Sequence, residues 1–203
     1  MDRVGIIDCG ISNLASVANA FAAVGVEPMV LRRPGELADH EHLVLPGVGA
    51  FGRGMANLAD AGLVPAIRQA VVAGAALLGI CLGMQLLGLS SEEFGQTPGL
   101  GLIEGRVTRL PAPGLRLPHV GWNEVAPAGE CPIWRDVAPG SAFYFVHSYG
   151  FAEQQVPWVA GLAEYGGPVV AAVSQGRVHG VQFHPEKSQK AGLKVLENFV
   201  TLC

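Results

Sequence analysis

Short runs of Val, Ile and Leu alternate with segments whose apolar residues recur at helical spacing, the pattern of a parallel sheet covered by helices. RVGIID (3–8) reads as a strand, and Leu14, Val17, Ala18 and Phe21 then fall on one helical face that ends near Gly25. PMVLR (28–32) and HLVLPG (42–47) are the next strands, followed by a helix carrying Met55, Leu58, Ile67 and Val71. ALLGIC (76–81) closes the series, and a helix begins directly after it at Leu82.

The second half has a different rhythm. GRVTRL, AFYFVHSYG, WVAGLAEYG, VVAAVSQ and VHGVQFH are strand-like and separated by Gly and Pro turns, with a hairpin expected at Gln175-Gly176-Arg177. This half reads as mixed or antiparallel. Leu193, Leu196 and Val200 give the segment from Gln189 to Cys203 a helical stripe that packs back on the sheet. RLPAPGLRLP (109–118) is a proline-rich connecting loop, too short to separate domains, and no internal repeat is visible. The expectation is therefore a single α/β domain over 1–203, with a mixed, mostly parallel central sheet flanked by helices.

Half of the 203 residues are hydrophobic and 15% are charged, enough for a substantial core. No stretch offers about 20 consecutive apolar residues, so no membrane association is expected. MDRVGIIDCG lacks a basic region followed by a cleavage site, which makes the cytoplasm the expected location. A net charge of -4 without any basic run argues against a nucleic-acid partner. The four cysteines are widely scattered, which fits reduced thiols rather than a disulfide framework or a CxxC metal pair. Cys9, Cys131 and Cys203 read as packing or surface thiols.

Cys81 is different. A strand that ends at this residue and turns at once into a helix forces a sharp bend, and Gly79 and Gly83 remove the β-carbons that would crowd it. The side chain is pushed outward, toward the positive end of the helix dipole, which favours an anionic sulfur. In VQFHPEKS, His184 ends an apolar strand and Glu186 follows two positions later across Pro185. Such a pair supplies a base and the carboxylate that orients it, provided both strand ends lie at the same edge of the sheet. The glycines of LPGVGAF (45–51) allow a backbone N–H, that of Val48, to turn toward a substrate oxyanion beside the N–H of Leu82. This loop matches neither a dinucleotide fingerprint nor a phosphate loop.

GICLGMQLL, PGVGAF and HPEKS together resemble the class I, triad-type glutamine amidotransferase family, whose motif order nearly the whole chain follows. The resemblance implies Cys81 as nucleophile, His184 as general base and acid, and Glu186 as its orienting residue. It implies glutamine binding by Gly49, Gln85, His147, Ser148 and Tyr149. No metal or organic cofactor is implied. GWNEV (121–125), FYFVHSYG (143–150) and the chain's length are similar to family members that serve histidine biosynthesis by handing ammonia to a separate (β/α)₈-barrel synthase subunit. In that setting Trp122, Tyr144 and Lys187 match partner-facing positions. DCGISNL departs from the family's usual pattern, with Cys9 and Ser12 where Tyr and Gly are usual.

Two alternatives remain open from the sequence: a free-standing glutaminase serving another synthase, such as that of pyridoxal phosphate, or a non-catalytic thiol-sensing module on the same fold. His40 and His42 in DHEHLV are metal-ligand types without a separate ligand cluster, so no metal site is expected there. His119 and His179 carry no motif that raises them above structural or surface histidines.

Overall fold

The computed structural model describes residues 4–203. The first half runs β1 (Val4–Ile7), α1 (Leu14–Ala23), β2 (Met29–Leu31), β3 (His42–Gly47), α2 (Phe51–Asp60), α3 (Leu63–Val72), β4 (Ala76–Cys81) and α4 (Leu82–Leu86). Arg3, where the first strand was expected to start, lies outside the described residues. The Asn13 side chain caps α1 by accepting from the Ser16 N–H. The single helix expected across 55–71 is two helices, because Gly62 takes a left-handed conformation (φ 68°) between them.

The second half runs β5 (Ser90–Ser91), β6 (Thr97–Pro98), β7 (Arg106–Arg109), β8 (His119–Glu124), β9 (Ala126–Pro127), β10 (Ala142–His147), β11 (Tyr149–Phe151), β12 (Val159–Glu164), β13 (Pro168–Gln175), β14 (Val178–Val181) and α5 (Gln189–Leu202). An eight-stranded sheet has the order β2-β1-β3-β4-β14-β13-β12-β9. Pairing is parallel from β2 to β14 and antiparallel beyond, which matches the mixed, mostly parallel expectation. The β13–β14 hairpin forms across Gly176-Arg177 as expected. Its second strand lands parallel to β4, so the antiparallel half is joined to the parallel half beside the strand that ends in Cys81.

Alternation along the central strands builds two cores. Ile6, Val44, Leu78 and Ile80 face Phe21 of α1 and Leu196 and Phe199 of α5, whereas Ile7, Leu43, Leu45 and Leu77 face Met55, Leu58 and Ile67 of α2 and α3. Strands buried on both faces have no polar side to alternate, which explains the continuous apolar runs in the sequence.

Two smaller sheets, β10-β8 and β11-β7-β5-β6, complete the fold. AFYFVHSYG, expected as one strand, is divided at Ser148: β10 pairs with β8, and β11 pairs with β7. GWNE of GWNEV belongs to β8, a strand that its exposed Trp122 and alternating polar residues did not announce. Among the described residues no helix is long and apolar enough to cross a membrane.

Candidate active site

Cys81 occupies a strained bend, with φ 54° and ψ -110°. A non-glycine residue at positive φ costs on the order of 1–3 kcal/mol and persists only where its surroundings enforce it. Here they do. A β-carbon on Gly79 would lie 2.6 Å from the Met84 backbone nitrogen, and one on Gly83 would run into the Leu45 carbonyl oxygen. The two glycines let α4 fold directly back over β3 and β4, and Cys81 takes the strain at the corner.

Register brings the other groups alongside. Gly47 of β3 pairs with Cys81, while Val181 of β14 pairs with Ile80. The residues just past Val181 therefore emerge beside Cys81, at the same edge of the sheet. His184 Nδ1 lies 2.8 Å from Glu186 Oε1, and both side chains are 3% exposed. The His184 backbone is pinned by its N–H to the Tyr144 carbonyl (2.9 Å), and Ser188 Oγ donates to the His184 carbonyl (2.6 Å). Ser188 also accepts from the Tyr144 N–H, tying the segment to β10. Sequence reasoning missed Ser188, although its place right after HPEK was a signal.

Burial opposes a charge on His184, but the neighbouring Cys81 sulfur and then the Glu186 carboxylate outweigh it and push the imidazole up to about 9. Nε2, the nitrogen not used by Glu186, has no hydrogen-bond partner among the described residues, and neither does Glu186 Oε2. The ring is thus oriented on one side and free to exchange a proton on the other.

A cleft of about 200 Å³ opens on Cys81 and is lined by Gly49, Leu82, Gln85, Glu93, Pro118, Val146, His147, Ser148 and Tyr149. It gathers all five residues that the family resemblance implies for glutamine. Gln85 Nε2 is spent inside the protein, on the Tyr149 carbonyl (2.8 Å) and Gln182 Oε1 (3.0 Å), leaving only its carbonyl oxygen for a ligand. Glu93 was not foreseen. Its carboxylate accepts from the Phe51 N–H (2.7 Å) and brings an anion to the cleft, and the acidic pair after Ser91 was its only trace in the sequence. Gln182 was also missed. It is fully buried, with Nε2 3.7 Å from Cys81 Sγ.

The oxyanion expectation needs a correction for this conformation. The Val48 N–H donates to the Ile11 carbonyl at 2.8 Å and is not turned toward the cleft. Cys9 Sγ, from the segment that departs from the family pattern, donates to the Pro46 carbonyl at 3.2 Å, so residues 9–11 hold this loop at two points. Leu82, first in α4, has an N–H with no place in the helix ladder.

His147 Nδ1 donates to the Tyr149 carbonyl (2.9 Å), and its Nε2 lies 3.1 Å from His119 Nδ1. His119 is buried between Phe145 and Tyr165 rings, so it is structural as expected. Burial pulls His147 down to about 4, and it does the same to His179 beside Ser174. The unfolded chain binds protons at both sites below about pH 6.5, whereas the native chain resists them until about 4. Stability should therefore fall as pH is lowered across that window. Urea midpoints measured between pH 7 and pH 4 should drop less steeply in a His147→Gln, His179→Gln double variant, and an unchanged slope would count against this origin.

On the outer face of β8 and β10, Trp122 and Tyr144 are cross-strand partners with ring centroids 6.1 Å apart, and Lys187 Nζ sits 5.7 Å from the Tyr144 ring. Val120 and Val146 extend this exposed stripe, with Trp122 51% accessible. His40 and His42 are buried away from the cleft, His40 against the Glu36 carbonyl and His42 edge-on to Phe199. Among the described residues no group of three or more His, Cys, Asp or Glu could hold a metal ion.

The profile of the family "Glutamine amidotransferase class-I" matches residues 5–203. The chain is 49% identical to the imidazole glycerol phosphate synthase subunit HisH of Symbiobacterium thermophilum, over 98% of this chain and 93% of that one. It is 47% identical to the subunit of the same name from Moorella thermoacetica, over 98% and 94%. Among solved structures, PurLQS from Thermotoga maritima is similar with a TM-score of 0.77 at 20% identity, covering 98% of this chain and 97% of that one. A structure described as a glutamine amidotransferase gives 0.76 at 21%, over 97% and 98%.

Proposed function

The chain belongs to the class-I glutamine amidotransferase family, and on that premise we propose that Cys81, His184 and Glu186 hydrolyse glutamine in the cleft just described. Near-full-length identity of 49 and 47% to two subunits of imidazole glycerol phosphate synthase supports the same role here, the glutaminase subunit of that synthase in histidine biosynthesis. The observation that carries the mechanism is the strained Cys81 bend facing a cleft, beside an imidazole fixed 2.8 Å from a buried carboxylate.

Glutamine enters with its side-chain amide at Cys81. The carboxylate of Glu93 receives the α-ammonium, and the Gly49, Gln85 and 147–149 groups surround the rest. The Cys81 thiolate attacks the amide carbon and forms a tetrahedral oxyanion, which accepts from the Leu82 N–H. A second donor, the Val48 N–H, becomes available when its bond to the Ile11 carbonyl breaks and the peptide turns. His184, cationic at neutral pH, gives its proton to the departing nitrogen, and ammonia leaves a glutamyl thioester. His184 then takes a proton from water, whose hydroxide attacks the thioester, and glutamate leaves as the thiolate is restored. No step calls on a metal or organic cofactor.

Being a subunit, the chain works with a partner. We assign that partner to the (β/α)₈-barrel cyclase subunit of imidazole glycerol phosphate synthase, docked on the Trp122, Tyr144 and Lys187 face. Its acceptor is a phosphorylated ribulosyl carboxamide, and its products are imidazole glycerol phosphate and an aminoimidazole carboxamide ribotide. The exposed aromatic stripe beside His184 supports this docking face. Partner binding that favours the turned Val48 peptide would raise glutaminase activity by population shift.

The test is a glutaminase assay of the purified chain with and without the barrel subunit and its ribotide ligand. Low activity alone and higher activity in the loaded complex are expected, with His184→Ala losing more kcat than Glu186→Gln, because an amide still orients the ring. Full activity in the isolated chain removes the gating step, and unchanged turnover with weakened glutamine binding in both variants moves these residues out of the chemistry.

A further inference from the structure

We propose that Gln182 is a further catalytic residue, whose side-chain amide donates to Cys81 Sγ and stabilises the charge that the sulfur carries into attack. This rests on Cys81 being the nucleophile. The sheet register brings the two residues together, since Val181 pairs with Ile80 and the next residue of each chain segment emerges alongside the other. Gln182 is fully buried there, and its Nε2 is 3.7 Å from Sγ.

Which end of the amide faces sulfur is decided by its neighbours. Gln85 Nε2 lies 3.0 Å from the Gln182 oxygen and 2.8 Å from the Tyr149 carbonyl, so both Gln85 hydrogens point at acceptors. Rotating the Gln182 amide by half a turn would set its NH₂ against the Gln85 NH₂ and its carbonyl oxygen against the sulfur. The first contact would set donor against donor and the second lone pair against lone pair, and both are repulsive. Gln85 therefore positions Gln182, and the Tyr149 carbonyl, which also accepts from His147 Nδ1, positions Gln85. An N–H donor gains most from a charged acceptor, so this contact is stronger to a thiolate than to a thiol. It acts on sulfur before attack, whereas the Leu82 N–H acts on the carbonyl oxygen after it. His184 supplies the cation on one side of the thiolate and Gln182 a neutral donor on the other.

A purely structural role, bridging β14 to α4, makes the opposite forecast for two near-isosteric variants. Gln182→Glu keeps the volume and an acceptor for Gln85 but turns an oxygen toward the sulfur. Gln182→Met removes both polar ends. The reaction of Cys81 with iodoacetamide is measured on the full-length chain by mass spectrometry of the Cys81 peptide, with urea midpoints as the folding control. Loss of a donor to a charged group should slow alkylation by about tenfold in Gln182→Met, and Gln182→Glu should be slower still because a carboxylate beside sulfur opposes the anion. In the complex with the barrel subunit, kcat should fall in the same order with little change in KM for glutamine. If the Met variant fails to fold, the Glu variant decides alone. Wild-type alkylation in Gln182→Glu, or a Glu variant better than Met, overturns the proposal. A Cys81→Ala chain that still hydrolyses glutamine overturns the nucleophile assignment instead, so the two failures are distinguishable.

Discussion

Cys81→Ala is expected to lower glutamine-dependent turnover by at least about 10⁴-fold, because without the sulfur no thioester forms and the remaining groups retain only binding and polarisation. The fold should persist. Cys81 is buried at the edge of the core cluster, at the end of β4, and alanine removes only the sulfur while leaving the Gly79 and Gly83 contacts intact. With the barrel subunit and ammonium salt in place of glutamine, product formation should survive. That rescue should improve as pH rises, since more of the added nitrogen is ammonia. Cys131→Ala, altered away from the cleft, should keep its glutaminase activity. Substantial glutamine turnover in Cys81→Ala would refute the nucleophile, and failure of ammonium to sustain a folded, assembled variant would refute the role of ammonia donor.

Gly83→Ala should have the largest effect on stability, about 4 kcal/mol or more. The added methyl meets the Leu45 carbonyl oxygen, which belongs to β3 in the centre of the sheet and has no flexible side chain to yield. Either α4 lifts from β3 or the strand shifts, and both move Leu82 and the Cys81 bend. Urea unfolding should show a much lower midpoint, and iodoacetamide labelling of Cys81 in the folded fraction should change as well. By contrast, Gly25→Ala meets nothing within 4 Å and should cost only the strain of its positive φ. Equal effects from the two substitutions would mean that the close approach of α4 to β3 does not set the requirement at Gly83, whose φ is not positive.

Local sequence determined a good deal of this protein. Strands buried on both faces must be apolar throughout, so β1, β3 and β4 were visible as short Val, Ile and Leu runs, and β4 ended at Cys81 as read. The glycines around Cys81 were legible because a strand that turns directly into a helix leaves no room for β-carbons, a constraint confined to five residues. The His184-Pro185-Glu186 pairing was legible for the same reason, being a contact across two positions. The family resemblance added the glutamine-binding residues, which neither periodicity nor spacing supplies.

Everything that depends on which strand lies beside which was left to the tertiary structure. That β14 runs parallel to β4, bringing residues 182–186 to Cys81, follows from a pairing between segments about a hundred positions apart, and no local pattern encodes it. Gln182 carries no local signal in the sequence, and only that register gives it a sulfur to face. β8 was hidden because one of its faces is exposed and carries Trp122, so its apolar signal was diluted. The Val48 N–H reads in sequence as free to turn, but the tertiary fold supplies Ile11 as a competing acceptor. Turn chemistry and burial act over a few residues and leave their mark in composition, whereas register, hydrogen-bond competition and the approach of distant side chains are set only when the whole sheet assembles.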